Sequence, residues 1–283
     1  MLRYRLITGP ILILALLGIV WFDSAMQCQG APPGLVLYCL AVLVTPFAAH
    51  EFTTLLRGSG LKAQVWLTTL VAWSGLSITF WWPDGAASTN GVALVVSTMA
   101  VITVVSAIVF TRGQTTDGVI QSIAGSLLAF AYLGCLAGLL IAVAHHHSAW
   151  WVAGVVGITK ACDSGAYFTG RAVGKHKLIP WLSPGKTWEG AIGGTLAAIG
   201  VAALLVAAND AWLSHPLPWW MIPALGLSLA VTGQLGDLMV SLMKRGAKVK
   251  DSSTILPGLG GVLDVLDSPL LVAPVAYWLL HGF

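Results

Sequence analysis

Charge is what this sequence has least of. Of its 283 residues only 9% are Asp, Glu, Lys or Arg, against 57% hydrophobic, and the mean hydropathy is +0.85. So few charges cannot coat a surface that faces water, which excludes a soluble globular domain and leaves an integral membrane protein. Other absences narrow the reading. No hydrophilic stretch is long enough to form a separate soluble domain, and there is no short-period repeat or low-complexity tract. The four cysteines (Cys28, Cys39, Cys135 and Cys162) form no C-x-x-C pair and sit mostly in apolar runs, so buried free thiols are expected. Nothing in a net charge of +3 suggests nucleic acid as a partner.

Apolar length is what the sequence has most of. A helix needs about 20 mostly apolar residues to cross a hydrocarbon core. Nine runs approach that length, at 6–22, 35–56, 63–82, 91–110, 119–144, 149–170, 188–208, 219–243 and 268–281. The first follows Arg3 and Arg5 as a signal peptide would, but no clear small-residue cleavage site follows it, so it is expected to remain as the first helix. The fold class is therefore all-α and polytopic, with about nine transmembrane helices.

Basic residues supply the orientation. Arg3, Arg5, Arg57, Lys62, Arg112, Arg171, Lys175, Lys177, Lys186, Lys244, Arg245, Lys248 and Lys250 all fall in alternate loops, leaving Lys160 as the one of the 14 that lies inside a span. Basic loops stay on the cytoplasmic side, so the N-terminus is expected there and the C-terminus outside. Trp81, Trp82, Trp150, Trp151, Trp219 and Trp220 fit an aromatic belt at the external boundary. Charge also divides the chain: residues 1–145 read as scaffold helices, and 146–283 as the region that carries the chemistry.

Three stretches hold candidate functional residues. In "SPGKTWEG" (183–190), Gly185-Lys186-Thr187 invites comparison with a phosphate loop, but the glycine required five residues before Gly185 is Pro180. A helix start facing an anion and a plain re-entry cap both remain open for it. In "TKACDSGAYFTGRAVGKHK" (159–177), Lys160 and Asp163 lie one helical turn apart inside a span. Unpaired charges there cost about 2.5–3.5 kcal/mol each, so they are either a buried pair joining helices or part of a site. The basic Arg171, Lys175 and Lys177 that follow could hold phosphate oxygens or only fix topology.

The third stretch runs from Gly233 to Ser268. Asp237, Ser241, Lys244 and Lys248 recur at helical spacing, which predicts one polar stripe leading out of the membrane. Pro257, Gly258, Gly260 and Gly261 then break the backbone, and Asp264 and Asp267 share a helix face beyond. Like charges on one face suit an oxygen-binding divalent ion, and Mg²⁺ is favoured where phosphates are the substrate. The plainer alternative is that these aspartates cap the last helix and answer the nearby lysines. His50-Glu51, near the end of the second run, either joins the polar interior or ends that helix.

Taken together, these stretches resemble the phosphatidate cytidylyltransferases. "SLMKRGAKVKDSSTILPGLGGVLDVLD" follows the family signature S-x-x-K-R-x(4)-K-D, spacer, P-G-H-G-G-x-x-D-R-x-D, through Ser241, Lys244, Arg245, Lys250, Asp251, Pro257, Gly258, Gly260, Gly261, Asp264 and Asp267. "DSGAYFTGRAVGKHKL" and "SPGKTWEGAIGG" resemble the two segments that precede it, so the likeness covers about 163–268. Leu259 stands where the family has His, and Val265 where it has Arg.

The resemblance implies transfer of a cytidylyl group from CTP to phosphatidate, giving CDP-diacylglycerol and pyrophosphate. It further implies a bacterial inner-membrane enzyme with its active site towards the cytoplasm, and CTP, the lipid, the bilayer and a second copy of the chain as partners. Asp251, Asp264, Asp267 and Lys250 are then the expected catalytic residues. Asp251, Asp264 and Asp267, joined by Asp237 or Asp163, would hold Mg²⁺ as one ion or two. Ser241, Lys244, Arg245, Lys175, Lys186, Gly258, Gly260 and Gly261 would bind substrate. A sister enzyme that makes another CDP-lipid or phosphorylates a polyprenol, and a non-catalytic lipid-binding or transport relative, are the alternatives.

Overall fold

The computed structural model describes residues 2–81, 89–112, 114, 116–212, 217–253, 255 and 260–281. Among them the chain forms α1 (Leu2–Gln27), α2 (Leu35–Gly58), α3 (Val65–Trp81), α4 (Thr89–Thr111) and α5 (Val119–Ala129). It continues as α6 (Leu136–His146), α7 (Ala149–Val173), α8 (Trp188–Trp212), α9 (Met221–Gly246) and α10 (Val262–His281). A π-helical turn, Phe130–Cys135, joins α5 to α6, so these helices make nine rods, one on each apolar run. The all-α polytopic expectation holds. Among the described residues seven of these rods are long and apolar enough to cross a membrane, α5 and α6 counting as one. The others fall short for physical reasons: α3 has 17 residues, and α7 carries Lys160, Asp163 and Arg171.

The helix start expected behind Ser183-Pro184, with Glu189 in its first turn, is where α8 begins; the residues ahead of it form β2 (Ser183–Thr187), antiparallel to β1 (Lys177–Ile179), with Lys177 opposite Thr187 and Ile179 opposite Ser183. Helix α8 starts only after Thr187, whose Oγ1 accepts the Gly190 N–H at 3.1 Å as an N-cap does. The last helix begins at Val262 rather than at residue 268, because Asp264 interrupts the apolar run yet suits the first turn of a helix. Trp151 is also no belt residue: it is buried, its Nε1 donating to Asn209 Oδ1 at 3.1 Å, whereas Trp81, Trp150, Trp219 and Trp220 are exposed. Trp82 lies outside the described residues.

Lipid offers apolar side chains no less than a protein interior does, so these helices are held by close packing rather than by escape from water. Small residues let the backbones approach. A Cβ on Gly194 of α8 would lie 2.6 Å from the Cys162 carbonyl of α7, and one on Gly226 of α9 would lie 2.5 Å from Ile199 Cα of α8.

Two apolar cores result. One gathers Leu76, Phe80, Ile141, Val155, Ile158, Met221, Leu225 and Val272. The other gathers Phe52, Leu55, Leu67, Phe130, Leu133, Val240 and Leu263. Along α9 the change from one to the other falls between Ala230 and Val240, and along α10 between Leu270 and Val272. The polar side chains of α9 and α10 gather where these cores meet.

Buried carboxylates also serve as caps supplied from a distance. Asp23 of α1 accepts the N–H groups of Gly34 at 2.9 Å and Val36 at 2.7 Å, closing the start of α2. Each N–H left without such a partner in a dry setting would cost about 1–3 kcal/mol.

Candidate functional site

Five charged side chains meet where α7, α9 and α10 come together under the hairpin. Lys160 and Asp163, one turn apart on α7, pair at 3.0 Å. Lys186, near the end of β2, turns back to Asp237 of α9 at 2.7 Å and also donates to the Gln234 carbonyl at 3.4 Å. Asp267 of α10 is 5% exposed, and its charge acts on Lys160, Asp237 and Asp163. A close backbone approach creates this meeting: a Cβ on Gly236 would lie 2.5 Å from the Asp267 carbonyl oxygen, so only glycine lets α9 and α10 bring Asp237 and Asp267 together. Three carboxyl groups face two ammonium groups in this cluster.

Asp264 belongs elsewhere. Its Oδ1 pairs with Lys244 Nζ at 2.7 Å, and its Oδ2 accepts the Gly261 N–H at 2.8 Å, the Ser252 N–H at 3.1 Å and the Ser252 hydroxyl at 2.8 Å. This is a helix-capping arrangement, an N3 carboxylate reaching back to the residue before the helix. Glu51 of α2, 1% exposed, completes it by accepting from Val262 N at 2.9 Å and Leu263 N at 2.8 Å, and it shares the single Ser252 hydroxyl proton, at 2.9 Å, with Asp264.

The three aspartates expected to act as one set are thus divided. Asp267 joins the interior cluster with Asp163, Asp237 and Lys186; Asp264 joins Lys244 at the start of α10; Asp251 is exposed on the connecting loop. Lys175, Arg245 and Lys250 are exposed, and Arg245 Nη1 donates to the Val249 carbonyl at 3.4 Å. Ser241 is half-buried on α9, one turn from Asp237 and one from Lys244. Lys248 leaves the predicted stripe: α9 ends at Gly246, and Lys248 takes φ 59° while Val249 N bonds back to the Lys244 carbonyl at 2.9 Å. Gly260 adopts φ 96°, which favours glycine, and Gly261 has no room for a Cβ between Ser252 Oγ and Glu51 Oε2. Gly258, with Pro257 and Leu259, lies outside the described residues.

Beside the charged cluster is an apolar cavity of about 500 Å³. Leu128, Tyr132, Trp181, Leu238, Met239 and Leu271 are among its walls, Trp181 and Leu182 coming from the hairpin loop. Tyr132 links the two features, since it lines the cavity and its hydroxyl donates to the backbone carbonyl of Asp267 at 3.3 Å. It sits on the π turn, a helix irregularity often found at functional sites. Sequence reasoning assigned Tyr132 and Ser252 no role and left Glu51 open. The one available signal was Glu51 itself, a carboxylate inside an apolar run.

Among the described residues no three His, Cys, Asp or Glu side chains converge as a ready metal cage. Mg²⁺ does not require one, because it commonly takes one or two carboxylates and fills its other positions with water and substrate phosphate. The all-oxygen donors Asp163, Asp237 and Asp267 fit that pattern; Asp264, with both oxygens bonded to protein donors, fits it less well.

Fold and site together define an integral membrane protein with a paired-charge centre next to an apolar cavity. The chain belongs to the cytidylyltransferase family, whose model matches residues 3–283. A phosphatidate cytidylyltransferase of Bacillus subtilis is 49% identical over 123 residues, 43% of this chain and 44% of the relative. One from Haemophilus influenzae is 45% identical over 114 residues, 40% of each chain. One from Chlamydia pneumoniae is 34% identical over 182 residues, 61% of this chain and 58% of the relative. The chain thus spans between two fifths and three fifths of the length of these relatives.

Proposed function

We propose that the chain is a nucleotidyltransferase that moves the cytidylyl group of CTP onto phosphatidate, releasing pyrophosphate and CDP-diacylglycerol. The observation that carries this reading is the apolar groove of about 500 Å³ beside the charged cluster, joined to it by Tyr132, which lines the groove and bonds the Asp267 backbone. A substrate with an apolar tail and a phosphate head needs that juxtaposition. The names of the relatives support the same substrate.

In the reaction, an oxygen of the lipid phosphate forms a bond to the α-phosphorus of CTP. The bond from that phosphorus to the α–β bridging oxygen breaks, and pyrophosphate leaves with the electron pair. A phosphomonoester is already anionic near neutral pH, so no strong base is required and Leu259 in place of a histidine is tolerable. The chief demand is to neutralise and align phosphates. Lys160 and Lys186, paired with Asp163 and Asp237 before substrate arrives, are the cations placed to do so, with Lys175, Arg245 and Lys250 at the exposed rim. Asp237, Asp267 and Asp163 would hold Mg²⁺, which would supply positive charge to the triphosphate when bound. The hairpin and the α9–α10 connection are assigned to the cytoplasmic side, because the basic loops share that face.

The test is turnover by the purified protein in detergent with CTP, phosphatidate and Mg²⁺. Equal release of pyrophosphate and CDP-lipid is expected, and CTP binding without either product would overturn the reading. Ala131, which lines the cavity, gives a second arm. Ala131→Trp is expected to raise the KM for phosphatidate about tenfold while leaving that for CTP unchanged, since crowding an apolar pocket acts on the tail alone.

A further inference from the structure

Glu51 belongs to α2, far in sequence from every motif discussed above, yet it is 1% exposed and reaches the start of α10. We infer that Glu51 is a positioning residue for CTP binding, acting through residues 252–264; this rests on the reading of the chain as a CTP-using enzyme. Its two oxygens take the N–H groups of Val262 and Leu263 and the hydroxyl of Ser252, while Asp264 takes the N–H of Gly261. The start of α10 is therefore filled by the protein's own carboxylates. It is closed as a phosphate cradle and fixed in direction instead.

Direction matters because Asp267 lies one turn further along the same helix, opposite Asp237. Lys244 is drawn into the same network through Asp264, so α2, α9, α10 and the connecting loop are joined at one point. Substituting Glu51 releases two backbone donors at once and leaves the Ser252 hydroxyl to Asp264 alone. Helix α10 then turns or slides, and Asp267 leaves its place relative to Asp237 and Lys186. Of the cavity wall only Leu271 lies on α10, whereas Leu128, Ala131, Leu238 and Met239 take no part in the network, so lipid binding changes less than CTP binding.

Steady-state kinetics of Glu51→Gln and Ser252→Ala beside the wild type test this. Glutamine keeps the shape but sets an N–H₂ group against backbone donors. Glu51→Gln is expected to raise the KM for CTP about tenfold and Ser252→Ala about threefold, each with a smaller change in the KM for phosphatidate. A residue that served stability alone would lower the active fraction, cutting the maximal rate and leaving both KM values in place. Wild-type KM for CTP in both variants, with an active wild type, would overturn this role and leave the proposed reaction standing. If Glu51→Gln does not fold, Ser252→Ala decides by the same criterion. An inactive wild type would remove the reaction and this role together.

Discussion

Asp267→Asn is expected to lower kcat by about a thousandfold without loosening the fold. Asparagine has the same shape, and its oxygen can still accept the Ser268 N–H that Asp267 Oδ1 now accepts at 2.6 Å. What disappears is an ionisable oxygen ligand. The cluster holds Asp163, Asp237 and Asp267 against Lys160 and Lys186, so the substitution leaves the two paired carboxylates with their two ammonium groups. Burying a carboxyl group costs free energy, and replacing it with a neutral amide should leave the thermal midpoint in detergent unchanged or slightly raised. A catalytic collapse at undiminished stability is the expected signature, read from initial rates and an unfolding curve on the same sample. Wild-type kcat in this variant would show that Asp267 does not serve the reaction.

Gly236→Ala is expected to damage stability and rate together. Alanine in a helix interior normally adds up to about 1 kcal/mol over glycine, so helix propensity alone predicts a more stable protein. Packing predicts the reverse. The added Cβ would lie 2.5 Å from the Asp267 carbonyl oxygen and 3.2 Å from Leu271 Cβ. Backbone cannot rotate aside as a side chain can, so α9 and α10 must part by about 1 Å, at a cost of about 1–3 kcal/mol. The same shift separates Asp237 from Asp267, and a displacement of that size costs about a hundredfold in rate. A lower melting temperature with a hundredfold smaller kcat is the expected result. A stabilised, fully active variant would mean that the two helices can meet closely without glycine.

The nine rods were legible because crossing a bilayer demands long apolar runs, and length of that kind survives any detail of packing. The hairpin was not. Strands of three and five residues carry too little periodicity to register, and Pro184-Gly185 reads as a turn whichever element follows. The stretches that hold the site were legible in the same way: Lys160 and Asp163 stood out as charges in a span, and Asp237 and Asp267 as members of a dense polar segment. The grouping within the site was hidden. Asp264 and Asp267 are three residues apart on one helix, and spacing gave them a shared role. Their partners differ, and these come from β2, α7 and α2, at sequence distances that local patterns do not reach. Glu51 shows the limit most plainly, because 211 residues separate it from Val262, whose N–H it accepts.

The π turn at Phe130–Cys135 sets the phase of the helix beyond it. A turn closed by i→i+5 bonds is what a helix makes of one residue more than its period can hold, and everything beyond it is rotated by about 100°. Close contacts pin this surplus residue in place: a Cβ on Gly134 would lie 2.5 Å from the Ala72 carbonyl, and one on Gly75 would lie 2.6 Å from that of Phe130. Deleting one residue of this turn would accordingly restore a plain helix and swing residues 136–146 about its axis by that same angle, carrying their buried face away from α3 and α10.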